Sequence, residues 1–133
     1  MNVREVVERY YATVNAGDWD SWLELFDAHL VMDEQLGGHI EGIETLRGIV
    51  GGLKRVYASF QNTPRYIVID GNQASVVSHI TAVSARGVPI QAEVANYFLI
   101  QEGRIVYMAN FHDSRPFDPA FKPGPERAGG EGA

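Results

Sequence analysis

The most constraining stretch of this sequence is Gln91–Asp113, which reads QAEVANYFLIQEGRIVYMANFHD. Apolar and polar residues alternate on both sides of Glu102-Gly103, which predicts two long strands joined by a tight turn. Because alternate residues of a strand share one face, the even positions predict a common interior wall. That wall would comprise Val94, Asn96, Phe98, Ile100, Val106, Met108, Asn110 and His112. Amides and an imidazole in an apolar wall must satisfy one another or bind a ligand.

The rest of the chain changes from helical to strand periodicity. The predicted helices cover residues 3–15, 19–26 and about 42–57, and the further predicted strands cover 29–36, 66–69 and 74–84. Asn2 and Glu5 form a capping box pattern at the first helix, and Gly37-Gly38-His39 is expected to be a turn. Residues 119–133 are rich in proline and glycine, which predicts a disordered tail behind a single domain at 1–118.

Helices that precede a run of strands indicate an α+β fold. We expect a cone-shaped, curved antiparallel sheet with three helices packed on its concave face, enclosing a pocket. The outer face of the last hairpin also carries apolar residues, namely Tyr97, Leu99, Ile105, Tyr107, Ala109 and Phe111. A strand that is apolar on both faces is usually covered on both, so the sequence predicts a homodimer through the outer sheet face.

Composition excludes several classes of function. The net charge of −6 argues against nucleic acid or an anionic membrane surface as the partner, because both require a basic footprint. The absence of cysteine excludes disulfides and a cysteine nucleophile. No segment reads as a signal peptide or a membrane span. We therefore expect a cytoplasmic protein that binds a small hydrophobic molecule.

Two motifs resemble a known superfamily. Residues 6–34, VVERYYATVNAGDWDSWLELFDAHLVMDE, are similar to the first part of ketosteroid isomerase, and NYFLIQEGRIVYMANFHD is similar to its last strands. The chain is thus identified as a suspected member of the nuclear-transport-factor-2-like superfamily, which includes ketosteroid isomerase and the SnoaL-type polyketide cyclases. The resemblance implies the fold described above.

The resemblance also implies roles for individual residues. Tyr10 matches the tyrosine that donates to the steroid enolate, Glu34 the aspartate that shuttles the proton, and Asn96 the protonated aspartic acid of the oxyanion hole. His79 and His112 match pocket-lining positions, and Asn110 falls near a catalytic aspartate of the cyclases. Two residues depart from the pattern, since Glu34 is one methylene longer than aspartate and Asn96 replaces an acid with an amide.

The residues themselves allow more than one interpretation. Glu34 interrupts an apolar face, which predicts a general base whose pKa is raised by desolvation; it could instead be exposed or paired with a histidine. By alternation, His79 and His112 are expected to face inward with Thr81, as substrate contacts, core residues or part of a metal site. Nothing local supports a metal site, and no cofactor is expected.

The leading hypothesis is a cofactor-independent enzyme that transfers a proton next to a carbonyl, as an isomerase or polyketide-type cyclase does. Its predicted catalytic residues are Glu34, Tyr10 and Asn96, and its predicted substrate-binding residues are His79, Thr81, Met108, Asn110, His112 and Phe98. The alternatives are a dimeric binding domain without activity and an epoxide-hydrolase-like enzyme that activates water. The substrate is expected to be small, cyclic and mostly apolar.

Overall fold

The computed structural model describes residues 1–121, and residues 122–133 of the predicted tail at 119–133 lie outside them. The helices are α1 (Val3–Ala16), α2 (Trp19–Leu23), α3 (Ile43–Val56) and the short α4 (Asp118–Phe121), which follows a 3₁₀ turn at Arg115–Phe117. The strands are β1 (Phe26–Glu34), β2 (Gly38–Glu41), β3 (Tyr57–Asp70), β4 (Gln73–Ser84), β5 (Pro89–Gln101) and β6 (Arg104–Phe111).

The predicted α+β fold is confirmed. The six strands form one curved, open sheet in the order β2-β1-β6-β5-β4-β3, with helices on its concave side. The sheet is mixed rather than purely antiparallel, because β1 and β6 run parallel. None of the helices within residues 1–121 is long and apolar enough to span a membrane.

Local capping explains where the first two helices begin and end. Asn2 Oδ1 accepts from the Glu5 main-chain N–H at 2.9 Å while Glu5 Oε1 accepts from the Asn2 N–H at 2.9 Å, so the expected capping box is present. Gly17 ends α1 with φ of 69°, a left-handed conformation that glycine adopts without strain. Asp18 then caps α2 by accepting from the Ser21 N–H.

Several predicted boundaries differ from the structure. The second helix ends at Leu23 rather than at residue 26, because Phe26 already belongs to β1 and is buried in the core. Of the predicted turn at Gly37-Gly38-His39, only Gly37 lies in a turn, because residues 38–41 form β2. Strand β3 is much longer than the predicted 66–69, since it is an edge strand whose first half lacks a regular apolar face. Residues 119–121 belong to α4, with Ala120 buried, and not to a tail.

The predicted inner face of β6 is partly wrong. A register shift between Leu99 and Ile100 lets Ile100 pair with Ile105, whereas Phe98 pairs with Met108. The shift reverses the alternation near the turn, so Ile105 is fully buried and Val106 is only half-buried. On the side of the shift away from the turn, the even residues of β5 and β6 share one face as predicted, and Asn96 pairs directly with Asn110.

Helix α3 is a weak helix by its own sequence. Gly48, Gly51 and Gly52 all lie within it, and open space surrounds the position where each would carry a Cβ atom. Each glycine costs up to about 1 kcal/mol relative to alanine. Its N-terminus has no side-chain cap. Burial of Leu46 and Val50 against the core must therefore hold it in place.

Candidate active site

A cavity of about 830 Å³ lies between the helices and the concave face of the sheet. Its walls come from α1, α2, α3, the first half of β3, inward residues of the central strands and the C-terminal segment. The lining is mainly apolar and aromatic, and it includes Val14, Trp19, Trp22, Leu53, Phe60 and Phe117. Cavities of this size and character are typical of small-molecule sites.

Five of the nine predicted site residues line this cavity. They are Tyr10, Glu34, Asn96, Asn110 and His112. Phe98 and Met108 were predicted to contact substrate, but both are fully buried in the core behind the wall. Their apolar side chains pack against the helices and are not among the residues that line the cavity.

His79 and Thr81 lie on the opposite face of the sheet, so their predicted role at the site is wrong. In β4 the buried positions are the even ones, from Ala74 to Ser84, and the two odd residues consequently point outward. His79 hydrogen-bonds Glu93 through Nδ1 and Gln91 Oε1 through Nε2 at 2.9 Å. It is a polar residue of the outer face.

Glu34 and His112 come together because their strands are neighbours. Glu34 ends β1 in register with Asn110 of the parallel strand β6, and His112 follows two residues later. Glu34 Oε2 lies 3.9 Å from His112 Nε2. The His112 side chain is 3% exposed and that of Glu34 is 26% exposed. The pair is therefore largely shielded from water, with the carboxylate the more accessible member.

The loop after β1 fixes the other carboxylate oxygen. Glu34 Oε1 accepts a hydrogen bond from the Leu36 N–H at 3.1 Å and another from the Gly37 N–H. A Cβ atom at Gly37 would lie 3.0 Å from Oε1, so only glycine allows this close approach without displacement. Oε1 is thus bound within the protein, and Oε2 is the oxygen that lies near His112.

The pKa of Glu34 is lowered, which corrects the expectation of a raised value. Burial raises the pKa and is the largest single influence. It is outweighed by the combined effect of the His112 side chain and the N–H groups of Gly37 and Leu36, which stabilise the charged form. Glu34 is therefore an ionised carboxylate at neutral pH.

The pKa of His112 moves in the opposite direction. Burial lowers the pKa, but Glu34 and the Asp113 carbonyl together raise it above its ordinary value of 6.5. His112 Nδ1 lies 2.8 Å from the Asp113 carbonyl oxygen and donates to it. Nε2 is then left for Glu34, and this ring orientation is also supported by Phe117, whose ring centre lies 4.7 Å away.

Two tyrosines place neutral hydroxyl groups near Glu34. Burial, and then the charge of Glu34, raises the pKa of Tyr10 far above the usual range. The neighbouring Trp22 indole lowers the pKa of Tyr10 slightly, although its Nε1–H forms no hydrogen bond within residues 1–121. Burial and Glu34 also raise the pKa of Tyr57 to about 12. Both hydroxyls remain protonated and are suited to donate to an oxyanion.

The two predicted asparagine donors differ in availability. Asn96 Nδ2 donates to the Val76 carbonyl at 3.0 Å and to Ser78 Oγ at 2.9 Å, so its two amide hydrogens are used within the protein. The side chain of Asn110 forms no hydrogen bond within residues 1–121 and lines the cavity. Asn110 is therefore the better donor to a ligand.

Sequence reasoning missed several wall residues. Tyr57 was assigned to the end of a helix, although it begins β3. Phe117 and Phe121 lie beyond the predicted strands, and yet they extend an aromatic cluster from His112 to Tyr57. Their apolar character in a segment otherwise rich in polar residues and proline was the available signal.

Other chemistries find little support in the described part of the chain. Residues 1–121 contain no group of three histidine, aspartate or glutamate side chains placed to bind a metal. Glu34 is the only carboxylate among the described cavity residues, and none of them is an arginine. The Asp–Arg–Asp set of an epoxide-hydrolase-like site is consequently not formed there.

The family model of the SnoaL-like domain matches residues 7–108, which is most of the sequence. The chain belongs to the SnoaL-like family. No curated protein sequence matches it.

Solved structures of SnoaL-like and related proteins share the fold at low sequence identity. An NTF2-like protein of unknown function from Burkholderia pseudomallei is 13% identical, with a TM-score of 0.84 over 92% of this chain and 99% of that one. TerC, co-crystallised with polyporic acid, is 16% identical, with a TM-score of 0.81 over 91% of this chain and 98% of TerC. A putative polyketide cyclase from Pseudomonas putida is 22% identical, with a TM-score of 0.76 over 88% of this chain and 96% of the cyclase.

The Glu34–His112 pair should make stability depend on pH. Ionised Glu34 stabilises the folded protein at pH values above its ordinary pKa of 4.5. This stabilisation is lost as the pH falls through its lowered pKa. His112 contributes below 6.5 and loses that contribution as pH rises through its raised pKa. Both groups contribute fully between pH 4.5 and pH 6.5, the ordinary pKa values of glutamate and histidine. In this pH range we expect His112→Gln to lower the free energy of unfolding by about 1 kcal/mol, and by less at lower or higher pH.

Urea denaturation across this pH range measures the difference. The exposed residue His29 provides the control, and His29→Gln should leave the free energy of unfolding nearly unchanged at every pH. A His112→Gln effect that stays constant from acid to alkaline pH would contradict the ion pair.

Proposed function

We propose that this SnoaL-like protein is a cofactor-independent enzyme that transfers a proton next to a carbonyl group. The substrate is a small, mostly apolar cyclic ketone, and the outcome is isomerisation or a polyketide-type cyclisation. The observation that carries the proposal is one ionised carboxylate in an apolar cavity, with uncommitted neutral donors around it. The likeness to a putative polyketide cyclase adds support at the level of the fold.

Glu34 is the general base in this proposal. Its Oε2 takes a proton from the carbon beside the carbonyl, and the electron pair of that C–H bond moves to the carbonyl oxygen as an enolate forms. In an isomerase the proton returns to another carbon of the same substrate. In a cyclase the enolate carbon attacks a second carbonyl carbon, and the new alkoxide takes up the proton.

Neutral donors stabilise the enolate oxygen. Tyr10 keeps its predicted role, and Tyr57 and Asn110 are better placed to assist than Asn96, whose amide hydrogens are bound elsewhere. Neutral donors suit the base, because they stabilise the enolate oxygen without adding to the positive charge that His112 already places beside Glu34.

His112 sets the strength of the base. While His112 is cationic, its charge lowers the pKa of Glu34 and makes the carboxylate a weak base. Loss of the His112 proton removes that charge, so Glu34 becomes more basic although it stays ionised. The effect of burial, which raises the affinity of Glu34 for a proton, is then opposed mainly by the N–H groups of Gly37 and Leu36.

Glu34→Gln should lower kcat by about 100- to 10,000-fold, the usual range for loss of a general base. The amide oxygen of glutamine can still accept from Leu36 and Gly37, so we expect the loop and ligand binding to be preserved. Turnover of a cyclic ketone and its dissociation constant measure the two effects separately. Glu41→Gln, on the exposed neighbouring strand, is the control. Unchanged turnover in Glu34→Gln would refute the assignment.

The pH profile tests the role of His112. In the wild-type protein kcat should rise with pH through the raised pKa of His112, above 6.5, because Glu34 gains basicity there. In His112→Gln this inflection should disappear, and kcat at pH 6 should exceed the wild-type value. A profile that keeps the inflection in the variant would assign it to another group.

A binding domain without activity is the second candidate. The internal hydrogen bonds of Asn96 favour it, because they give that residue a structural role where an oxyanion donor was expected. The two candidates differ in the Glu34→Gln experiment, since a binding domain shows no turnover to lose.

We further propose that two copies pair through the outer face of the sheet. Tyr66, Val68 and Phe111 are exposed there by 68%, 64% and 54%. Sedimentation at micromolar concentration should give about twice the chain mass of 14.7 kDa. Phe111→Asp should weaken the association, because a charge would be buried at the interface. A wild-type monomer would disprove the pairing.

A further inference from the structure

Three buried polar atoms have no hydrogen-bond partner within residues 1–121. They are Tyr11 Oη, Trp22 Nε1 and Asn62 Oδ1. Such atoms are rare in folded proteins and require an explanation. Tyr11 is not among the cavity residues, whereas Trp22 lies beside Tyr10 at the site already described. Asn62 lines the cavity at a different place and has no role so far.

Asn62 stands out within its strand. Of the fourteen residues of β3 it is the only one that is buried, with 6% exposure, and it is polar. Its side-chain amide forms no hydrogen bond within the described residues. Burying an unpartnered amide costs about 1–3 kcal/mol, so a structural role would favour an apolar residue here.

The main chain of Asn62 is held firmly although its side chain is not. The Asn62 N–H donates to Asn15 Oδ1 at 2.7 Å, and Asn15 Nδ2 donates to the Asn62 carbonyl at 3.0 Å. Gln61 Nε2 adds a bond to the Asn15 carbonyl at 3.0 Å. These contacts tie β3 to the end of α1 and fix the direction in which the Asn62 side chain leaves the strand. The amide is therefore positioned in advance at the cavity wall.

Asn62 and Glu34 occupy different walls of the cavity. Glu34 belongs to β1 and Asn62 to β3, and the sheet order places four strand-to-strand steps between them. A ligand that contacts both must carry polar groups at two separate positions, with an apolar body between them. Asn62 Oδ1 is closed to solvent, which leaves the amide Nδ2 to donate to a hydroxyl or second carbonyl oxygen of the ligand.

We propose that Asn62 forms a second recognition subsite, which binds a hydroxyl or carbonyl group of the substrate remote from the reacting ketone. This inference rests on the proposed function only in taking the cavity as the substrate site. The substrate class is thereby narrowed to cyclic ketones that carry a second oxygen substituent. That oxygen accepts from Asn62 Nδ2, and this contact orients the reacting carbon toward Glu34.

The test uses 1-tetralone, a bicyclic aromatic ketone, together with its 5-, 6- and 7-hydroxy derivatives. Isothermal titration should show that the wild-type protein binds at least one hydroxy derivative about five- to tenfold more tightly than 1-tetralone, the value of one hydrogen bond to a buried polar group. Asn62→Leu should remove that preference. Thr63→Val, at the exposed neighbouring residue, should retain it.

Thermal unfolding separates recognition from a structural role. Asn62→Leu should be as stable as the wild type or more stable, because it removes an unpaired buried amide. Asn62→Ala, which cannot overpack the site, should likewise lose the preference. Wild-type protein that binds all four ketones equally, or binds none of them, would overturn the subsite, as would a preference that survives in both variants.

The same probes distinguish this subsite from the proposed reaction. Glu34→Gln should keep the preference for the hydroxy derivative, because the subsite lies on another wall. If turnover proves independent of Glu34 while the preference depends on Asn62, the reaction is refuted and the subsite stands. If turnover depends on Glu34 while the preference is absent, the opposite conclusion follows.

Discussion

The architecture of the site depends on the double pairing of β6. This strand is antiparallel to β5 on one side and parallel to β1 on the other. Asn110 is thereby placed in register with both Asn96 and Glu34, and the residue two positions later is brought to the carboxylate. The parallel pair is what distinguishes this arrangement from a simple series of hairpins, and without it Glu34 and His112 would belong to unrelated parts of the sheet.

The sequence predicted the type of fold and five of the residues that line the cavity, because strand periodicity and the family resemblance both extend over long segments. It was harder to predict which residues of each strand face the interior. Alternation reveals that His79 and Ile80 face opposite sides, but not which side is the interior, and His79 was placed inward although it faces outward. Likewise the register shift before Ile100 reverses the faces near the turn, and no single residue type announces it.

The electrostatics of Glu34 were beyond sequence reasoning for a different reason. Burial alone would raise the pKa of a carboxylate, and that was the expectation. The opposite shift comes from contacts made by a loop and by a distant strand, including an N–H group that approaches because Gly37 has no side chain. Such contacts depend on three-dimensional placement. Tyr57 illustrates the same limit, since its role follows from the long course of β3 and not from its immediate neighbours.

Helix α3 has a consequence for how molecules reach the cavity. Its three glycines and uncapped start lower its intrinsic stability, while the sheet beneath is held by continuous strand pairing. Segments of low local stability open at a smaller free energy than the fold as a whole. The cavity wall formed by α3 can thus open and re-form while the sheet keeps its geometry. Ligand entry then depends on the helix, and the positions of the site residues on the strands depend on the sheet.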